Sequence, residues 1–226
     1  MTAISNVILV HGAWADGSSW AKVIPLLAAR GFNVTAVQLP LSSFEADVAT
    51  VRRAIALAEG EIVLVGHSYA GAVIGEAGND PKVARMVYID AFAPDAGDSA
   101  GALMAQFEAA PIGAEIRPDA EGFLRLTRTG VFELFAQDLD EAEKAVVLAT
   151  QGPVNGAALG GTLTAAAWRT RPTFYLIGDQ DHAIPQVEQV RMAARMNATV
   201  AHVAASHVPM LSQPGVVADF IATAAA

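Results

Sequence analysis

The chain has 226 residues, 53% of them hydrophobic, no cysteine and a formal net charge of −9. That length suits one domain, or one domain with an insert, and is enough to bury a large core. The missing cysteines exclude disulfides, thiolate catalysis and thiolate metal sites, and the acidic balance argues against nucleic acid or anionic membrane as partners.

No apolar run approaches the ~18 residues of a membrane span. Residues 1–6 lack the basic start and apolar stretch of a signal peptide, so a cytoplasmic location is expected. Residues 7–10 are the first apolar run, a buried strand that ends in His11-Gly12-Ala13-Trp14 and a turn-rich loop through Trp20. A short helix with Pro25 at its first position and Gly31 at its end follows. Residues 33–37 give the second strand and residues 45–57 an amphipathic helix.

Residues 62–65, Ile-Val-Leu-Val, form a third strand without polar alternation, which points to burial on both faces. Gly66-His67-Ser68-Tyr69-Ala70 comes next, then an apolar run from Ala72 that continues as a helix. A strand, a sharp turn with serine at its apex and a helix make the nucleophile elbow of a serine hydrolase, with Ala70 where G-x-S-x-G has its last glycine. Such a turn forces the serine toward positive φ and crowds the backbones two positions away, so Gly66 and Ala70 must be small. It also leaves the Tyr69 amide at a helix start, where unpaired N–H groups favour negative charge.

Further strands are expected at 86–90, 173–178 and 199–203, with a closing helix at 216–223 and an alanine-rich end that frays. Strands alternating with helices at these spacings predict a mostly parallel six-stranded α/β sheet with helices on both faces. Ligands of such sheets bind beyond the carboxyl ends of the strands, where Ser68 lies. Residues 94–169 break the rhythm: their apolar residues recur at helical spacings, so we expect a helical lid inserted into a core of residues 1–93 and 170–226. Between Asp95 and Glu143 this segment carries eleven acids, Glu108 among them, against Arg117, Arg125 and Arg128. That pattern suits a solvated lid surface and, at a site entrance, would disfavour polyanions.

Serine needs a base, held by a carboxylate, to act as a nucleophile. His11 and His67 precede or flank the elbow, His182 adjoins Asp181, and His202 falls within a strand pattern. His207 sits on a loop past the last strand and is the expected base. For the acid the loop after the fifth strand offers Asp181, with Asp179 as the fallback and Asp90, at the end of the fourth strand, as a third candidate. The Ala13 and Tyr69 amides are the candidate oxyanion donors, each worth on the order of 3–4 kcal/mol in comparable sites. Trp14 from the first loop, with Phe107 and Phe132 from the insert, are the candidate substrate-lining side chains. No clustered metal-ligand set, no G-x-G-x-x-G and no P-loop lysine motif occurs, so neither metal nor cofactor is expected.

His11-Gly12-Ala13-Trp14, the segment from Lys22 to Leu27, Gly31, Val34-Thr35-Ala36, Gly66 through Gly71, Asp179-Gln180-Asp181 and His207 together resemble the α/β-hydrolase superfamily. The likeness is to its small branch of plant methylesterases, hydroxynitrile lyases and bacterial carboxylesterases. The resemblance implies the α/β-hydrolase fold, a triad of Ser68, Asp181 and His207, and oxyanion donors at Ala13 and Tyr69. Hydroxynitrile lyases of this branch carry threonine where Gly12 stands and lysine where Val208 stands, which implies ester hydrolysis over C–C cleavage. A serine carboxylesterase for small to medium, uncharged, largely apolar esters is therefore expected. A lactonase, amidase or C–C hydrolase with the same triad, or a non-catalytic binding scaffold, are the rival readings. The expected partner is a small-molecule ester, with no nucleic acid and no membrane, and the sequence leaves a homodimer open.

Overall fold

A computed structural model describes residues 4–107 and 110–226, so Glu108 of the acidic run lies outside the described residues. In chain order the first half comprises β1 (Asn6–Val10), α1 (Ile24–Ala28), β2 (Asn33–Val37), α2 (Phe44–Leu57), β3 (Ile62–His67), α3 (Ala70–Ala77) and β4 (Val83–Ile89). Between β4 and the next long strand run α4 (Ala100–Met104), β5 (Ile116–Pro118), β6 (Phe123–Leu126), a π-helical turn at Gly130–Phe135, α5 (Glu141–Thr150), β7 (Val154–Asn155) and α6 (Gly156–Leu159). The chain closes with β8 (Thr173–Gly178), α7 (Gln186–Arg195), β9 (Thr199–Val203), α8 (Pro209–Ser212) and α9 (Pro214–Ala225).

Six strands form one parallel sheet in the order β2-β1-β3-β4-β8-β9. The central strands β1 and β3 are buried at every position, while the edge strands β2 and β9 are mostly open to solvent. Successive side chains of a strand point to opposite faces, so continuous burial requires cover on both. One cover pairs α2 with α3; the other pairs α1 with α9. Ile62, Val63, Leu64 and Val65 are all fully buried, each contributing about 1.5–3 kcal/mol of transfer free energy.

Register decides where the strand ends meet. Val10 pairs with Gly66, His67 with Ile89, and Ile89 with Leu176, so the residues after β1, β3, β4 and β8 emerge along one edge. Gly66 is needed there: a Cβ on it would come within 2.9 Å of the Ala70 carbonyl.

Two expectations need correcting. The segment between β4 and β8 is not helical throughout, because it also folds a small antiparallel sheet in the order β5-β6-β7. These strands have two to four residues each, too short to show a period of two. The alanine-rich end does not fray: α9 extends to Ala225, and Ala224 and Ala225 are buried. Among the described residues no helix is long and apolar enough to cross a membrane.

Candidate active site

Ser68 stands between β3 and α3 with φ at 55°, a left-handed conformation that costs a non-glycine residue roughly 1–2 kcal/mol. The strain recurs along the edge, with Trp14 after β1 at φ 57° and Asp90 after β4 at φ 43°. Backbone bonds hold the turn: the Ser68 N–H donates to Ile89 O, and Ser68 O accepts from Gly71 and Phe92. The Tyr69 side chain points away toward α2, where its hydroxyl donates to Asp47 Oδ2 at 2.8 Å, while Asp47 Oδ1 accepts the Leu41 N–H. Burial raises the Asp47 carboxyl above the usual carboxylate range.

Ser68 Oγ lies 2.8 Å from His207 Nε2, and His207 Nδ1 lies 2.7 Å from Asp181 Oδ2. With a carboxylate on one side, Nδ1 carries the hydrogen and Nε2 accepts from the serine hydroxyl. Asp181 is fixed from every side: Oδ1 accepts the Ala183 and Ile184 N–H groups at 2.7 and 3.0 Å, and Oδ2 also accepts Gln189 Nε2 at 2.7 Å. The His207 and Asp181 side chains are almost wholly buried. His67, the last residue of β3, donates Nε2–H to the His207 carbonyl at 2.7 Å. Burial, followed by the neighbouring His207, holds His67 well below the ordinary histidine range and so keeps it neutral. The stretch before α5 adds two ties: Gln137 donates to Gln180 O and Asp138 accepts the Ser206 N–H, each one residue from a member of the chain of three.

The sequence candidates are thus sorted by geometry. Ser68, Asp181 and His207 come together. Asp179 does not join them; it pairs with His202 Nδ1 at 2.8 Å and with Gln186, and both partners of that histidine bridge are exposed. His182 is exposed, and His11 is buried, with Nε2 accepting the Leu39 N–H. Asp90 is wholly buried, accepts the Gly178 N–H at 2.5 Å, and offers an atom within 4.8 Å of atoms on Asp181 and His207. The Asp181 and His207 atoms of that trio are engaged in the bonds above, which leaves too few open donors to hold an ion.

Ala13, Tyr69, Ser68 and His207 border one cavity of about 30 Å³, space for on the order of two waters. Among the described residues neither the Ala13 nor the Tyr69 N–H has a backbone acceptor. Any Cβ on Gly12 would meet Ser68 Cβ at 2.7 Å, so the loop that carries Ala13 can lie against the elbow only with glycine there. Trp14 lines this cavity and also a second one of about 170 Å³ between the first loop, α5 and α8. Its indole N–H donates to Leu124 O in β6, and its ring meets Phe135 edge-on.

Phe107 and Phe132 do not line the Ser68 cavity, contrary to expectation. Phe107 stacks behind Phe92, which takes the wall position, and Phe132 lies under the Arg128 guanidinium. Phe135, the last residue of the π-helical turn, packs against His207 instead. Sequence reasoning also missed Asp47, Gln189 and the supporting role of His67. Asp47 had a signal, being an acid on the apolar face of α2 with Phe44, Val48 and Val51. Gln189 had none.

Residues 7–220 match a family model described as an alpha/beta hydrolase family. A pyrethroid hydrolase of Sphingobium wenxiniae is 30% identical over 97% of this chain and 87% of its own length. Methylesterase 8 of Arabidopsis thaliana is 24% identical over 96% of this chain and 88% of its own. The crystal structure of a pyrethroid hydrolase from Sphingobium faniae superposes with a TM-score of 0.85 at 26% identity, covering 98% of this chain and 97% of that one.

Proposed function

This chain belongs to the alpha/beta hydrolase family, and from that premise we propose that it is a serine carboxylesterase acting on compact, uncharged, largely apolar esters. The observation that carries the reading is the continuous chain Ser68 Oγ, His207 Nε2, His207 Nδ1, Asp181 Oδ2, with steps of 2.8 and 2.7 Å, on an elbow strained to present the hydroxyl. Names of relatives agree with it, since they include a pyrethroid hydrolase and a methylesterase.

In this mechanism Ser68 Oγ attacks the ester carbonyl while His207 Nε2 takes the serine proton. Asp181 holds the imidazole in the right tautomer and stabilises it as it becomes cationic. The carbonyl oxygen gains negative charge and is received by the Ala13 and Tyr69 N–H groups, the second at the start of α3. His207 then protonates the departing alcohol, leaving an acyl group on Ser68. A water, deprotonated by the same nitrogen, adds to that acyl group; the acid leaves and Ser68 recovers its proton. Nε2 must be unprotonated to begin.

Apolar walls from Phe92, Met104, Ile112 and Leu159, with the small volume beside Ser68, favour a short acyl group. The segment between β4 and β8 supplies several of these walls and serves as the lid. Cyanohydrin cleavage of the hydroxynitrile-lyase kind is disfavoured, since Gly12 leaves no room for a side chain and Val208 brings no charge.

The test is hydrolysis of p-nitrophenyl acetate, butyrate and octanoate by wild type and Ser68→Ala. We expect the acetate to turn over fastest and the variant to lose about 10⁴–10⁶-fold in kcat. Undiminished hydrolysis by Ser68→Ala would overturn the reading.

A further inference from the structure

Asp90 has no part in the mechanism above, yet it is built into the same cluster. It follows β4 as Ser68 follows β3, wholly buried and held at φ 43°. Its Oδ1 accepts the Gly178 N–H, but among the described residues its buried Oδ2 has no donor in hydrogen-bond geometry, although the Gln189 side chain lies beside it. Gln189, which donates its amide to Asp181 Oδ2 and to Ile184 O, has its own Oε1 buried without a donor as well. Among the described residues no lysine or arginine is bonded to Asp90 or Asp181.

The cluster is therefore one hydrogen short. Two carboxylates in a dry site repel each other, and a buried acceptor without a donor costs its full desolvation. One proton on Asp90 Oδ2 relieves both, turning it into a donor beside the Gln189 side chain, whose Oε1 is without one. The titratable groups around it are Asp181, Asp138, His207 and the Tyr175 hydroxyl, which bonds to Ala91 O. Burial first, and the Asp181 charge second, hold the Asp90 carboxyl well above the usual carboxylate range.

We propose that Asp90 is a reserve carboxyl of the triad: a neutral hydrogen-bond donor that positions Asp181 through Gln189 in the resting enzyme, and the substitute counter-ion for His207 when Asp181 is removed. The catalytic half rests on the esterase reading; the resting half stands on the cluster alone. Once Asp181 becomes an amide, its charge no longer adds to the burial that keeps Asp90 protonated, and ionisation of Asp90 comes within reach as pH rises. Asp90 then releases its proton to solvent and faces the imidazole as an anion.

The test compares Asp90→Asn, Asp181→Asn and the double variant in ester hydrolysis, with kcat followed against pH. Asp90→Asn keeps the shape and a donor, and should lose no more than about five-fold, the scale of one neutral hydrogen bond. Asp181→Asn should lose about 10²-fold and recover as pH rises and Asp90 ionises. The double variant should lose about 10⁴-fold, the cost of a triad with no carboxylate. A double variant no slower than Asp181→Asn, an Asp181→Asn rate that does not recover with pH, or a loss above about 10²-fold in Asp90→Asn would each overturn the proposal. Independently of turnover, the infrared spectrum of wild type at neutral pH should contain a protonated-carboxyl stretch that Asp90→Asn lacks, and identical spectra would also overturn it. Failure of the esterase reading is seen elsewhere, in Ser68→Ala, and leaves the infrared arm intact.

Discussion

Two aspartate–histidine pairs hang from the same two strands. Asp181 and His207 follow β8 and β9 and meet at 2.7 Å; Asp179 follows β8 and meets His202, within β9, at 2.8 Å. Bond length does not distinguish them. The side chains of the first pair are 0% and 1% exposed, those of the second 38% and 47%. In water two charges 4 Å apart attract by about 1 kcal/mol, against about 4 kcal/mol at the effective dielectric of a protein site. The first pair also has the Ser68 hydroxyl on its far side, while Asp179 has Gln186 beside it. A dyad becomes chemically useful when water is excluded and a third group waits in line.

The largest effect comes from breaking the buried pair. His207→Ala should lower kcat by about 10⁴–10⁶-fold with the same fold by circular dichroism, since the members of a triad act as a unit. A gentler break leaves the pair intact and lets water in. Phe135 is 1% exposed and its ring lies 5.1 Å from that of His207. Phe135→Ala should cost about 3–5 kcal/mol in denaturant unfolding, the usual penalty for emptying an aromatic site, and should slow hydrolysis about ten-fold.

Acid sharpens the contrast through stability. His67, against the buried pair, and His11 are both held neutral by burial, with lowered folded-state pKa values. The unfolded chain binds protons at these residues from about pH 6.5 downward while the folded chain does not, so stability falls with acidification. The slope is up to about 1.4 kcal/mol per pH unit for each histidine, measurable as unfolding midpoints at successive pH values. Asp90 acts with the opposite sign: its raised pKa makes the fold retain a proton the unfolded chain releases above about pH 4, so stability falls as pH rises through that window. The smallest effect belongs to the exposed pair. His202→Gln and Asp179→Asn should each change stability by about 0–1 kcal/mol, as solvent-screened pairs do, and leave ester hydrolysis within about two-fold.

Much of this was legible in the sequence, and the two pairs show where legibility stopped. The six strands, the elbow at Ser68 and the order serine, acid, histidine are local patterns, readable from apolar runs and from small residues around the turn. Asp181 and Asp179 sit on one loop, two residues apart, and their difference lies in what packs over them from α7 and β9. Phe107 and Phe132 shared the helical spacing of Phe135, and spacing does not display that Phe135 is the ring that meets His207. Asp90 stood as a third candidate acid at a strand end; its proximity to Asp181 comes from the β4–β8 register, which no stretch of sequence displays.

The bond between Ser68 and His207 joins residues 139 apart in the chain, and His207 reaches back 26 residues to Asp181. Contacts of such separation cost loop-closure entropy before they contribute, so they are slower to form than the local turn of the elbow. A nascent or partly folded chain can carry the strained elbow and still be hydrolytically silent, because its base is elsewhere. On the proposed mechanism the nucleophile is armed only when the fold brings these residues together, and recovery of ester hydrolysis during refolding should report that long-range closure and not the first helices.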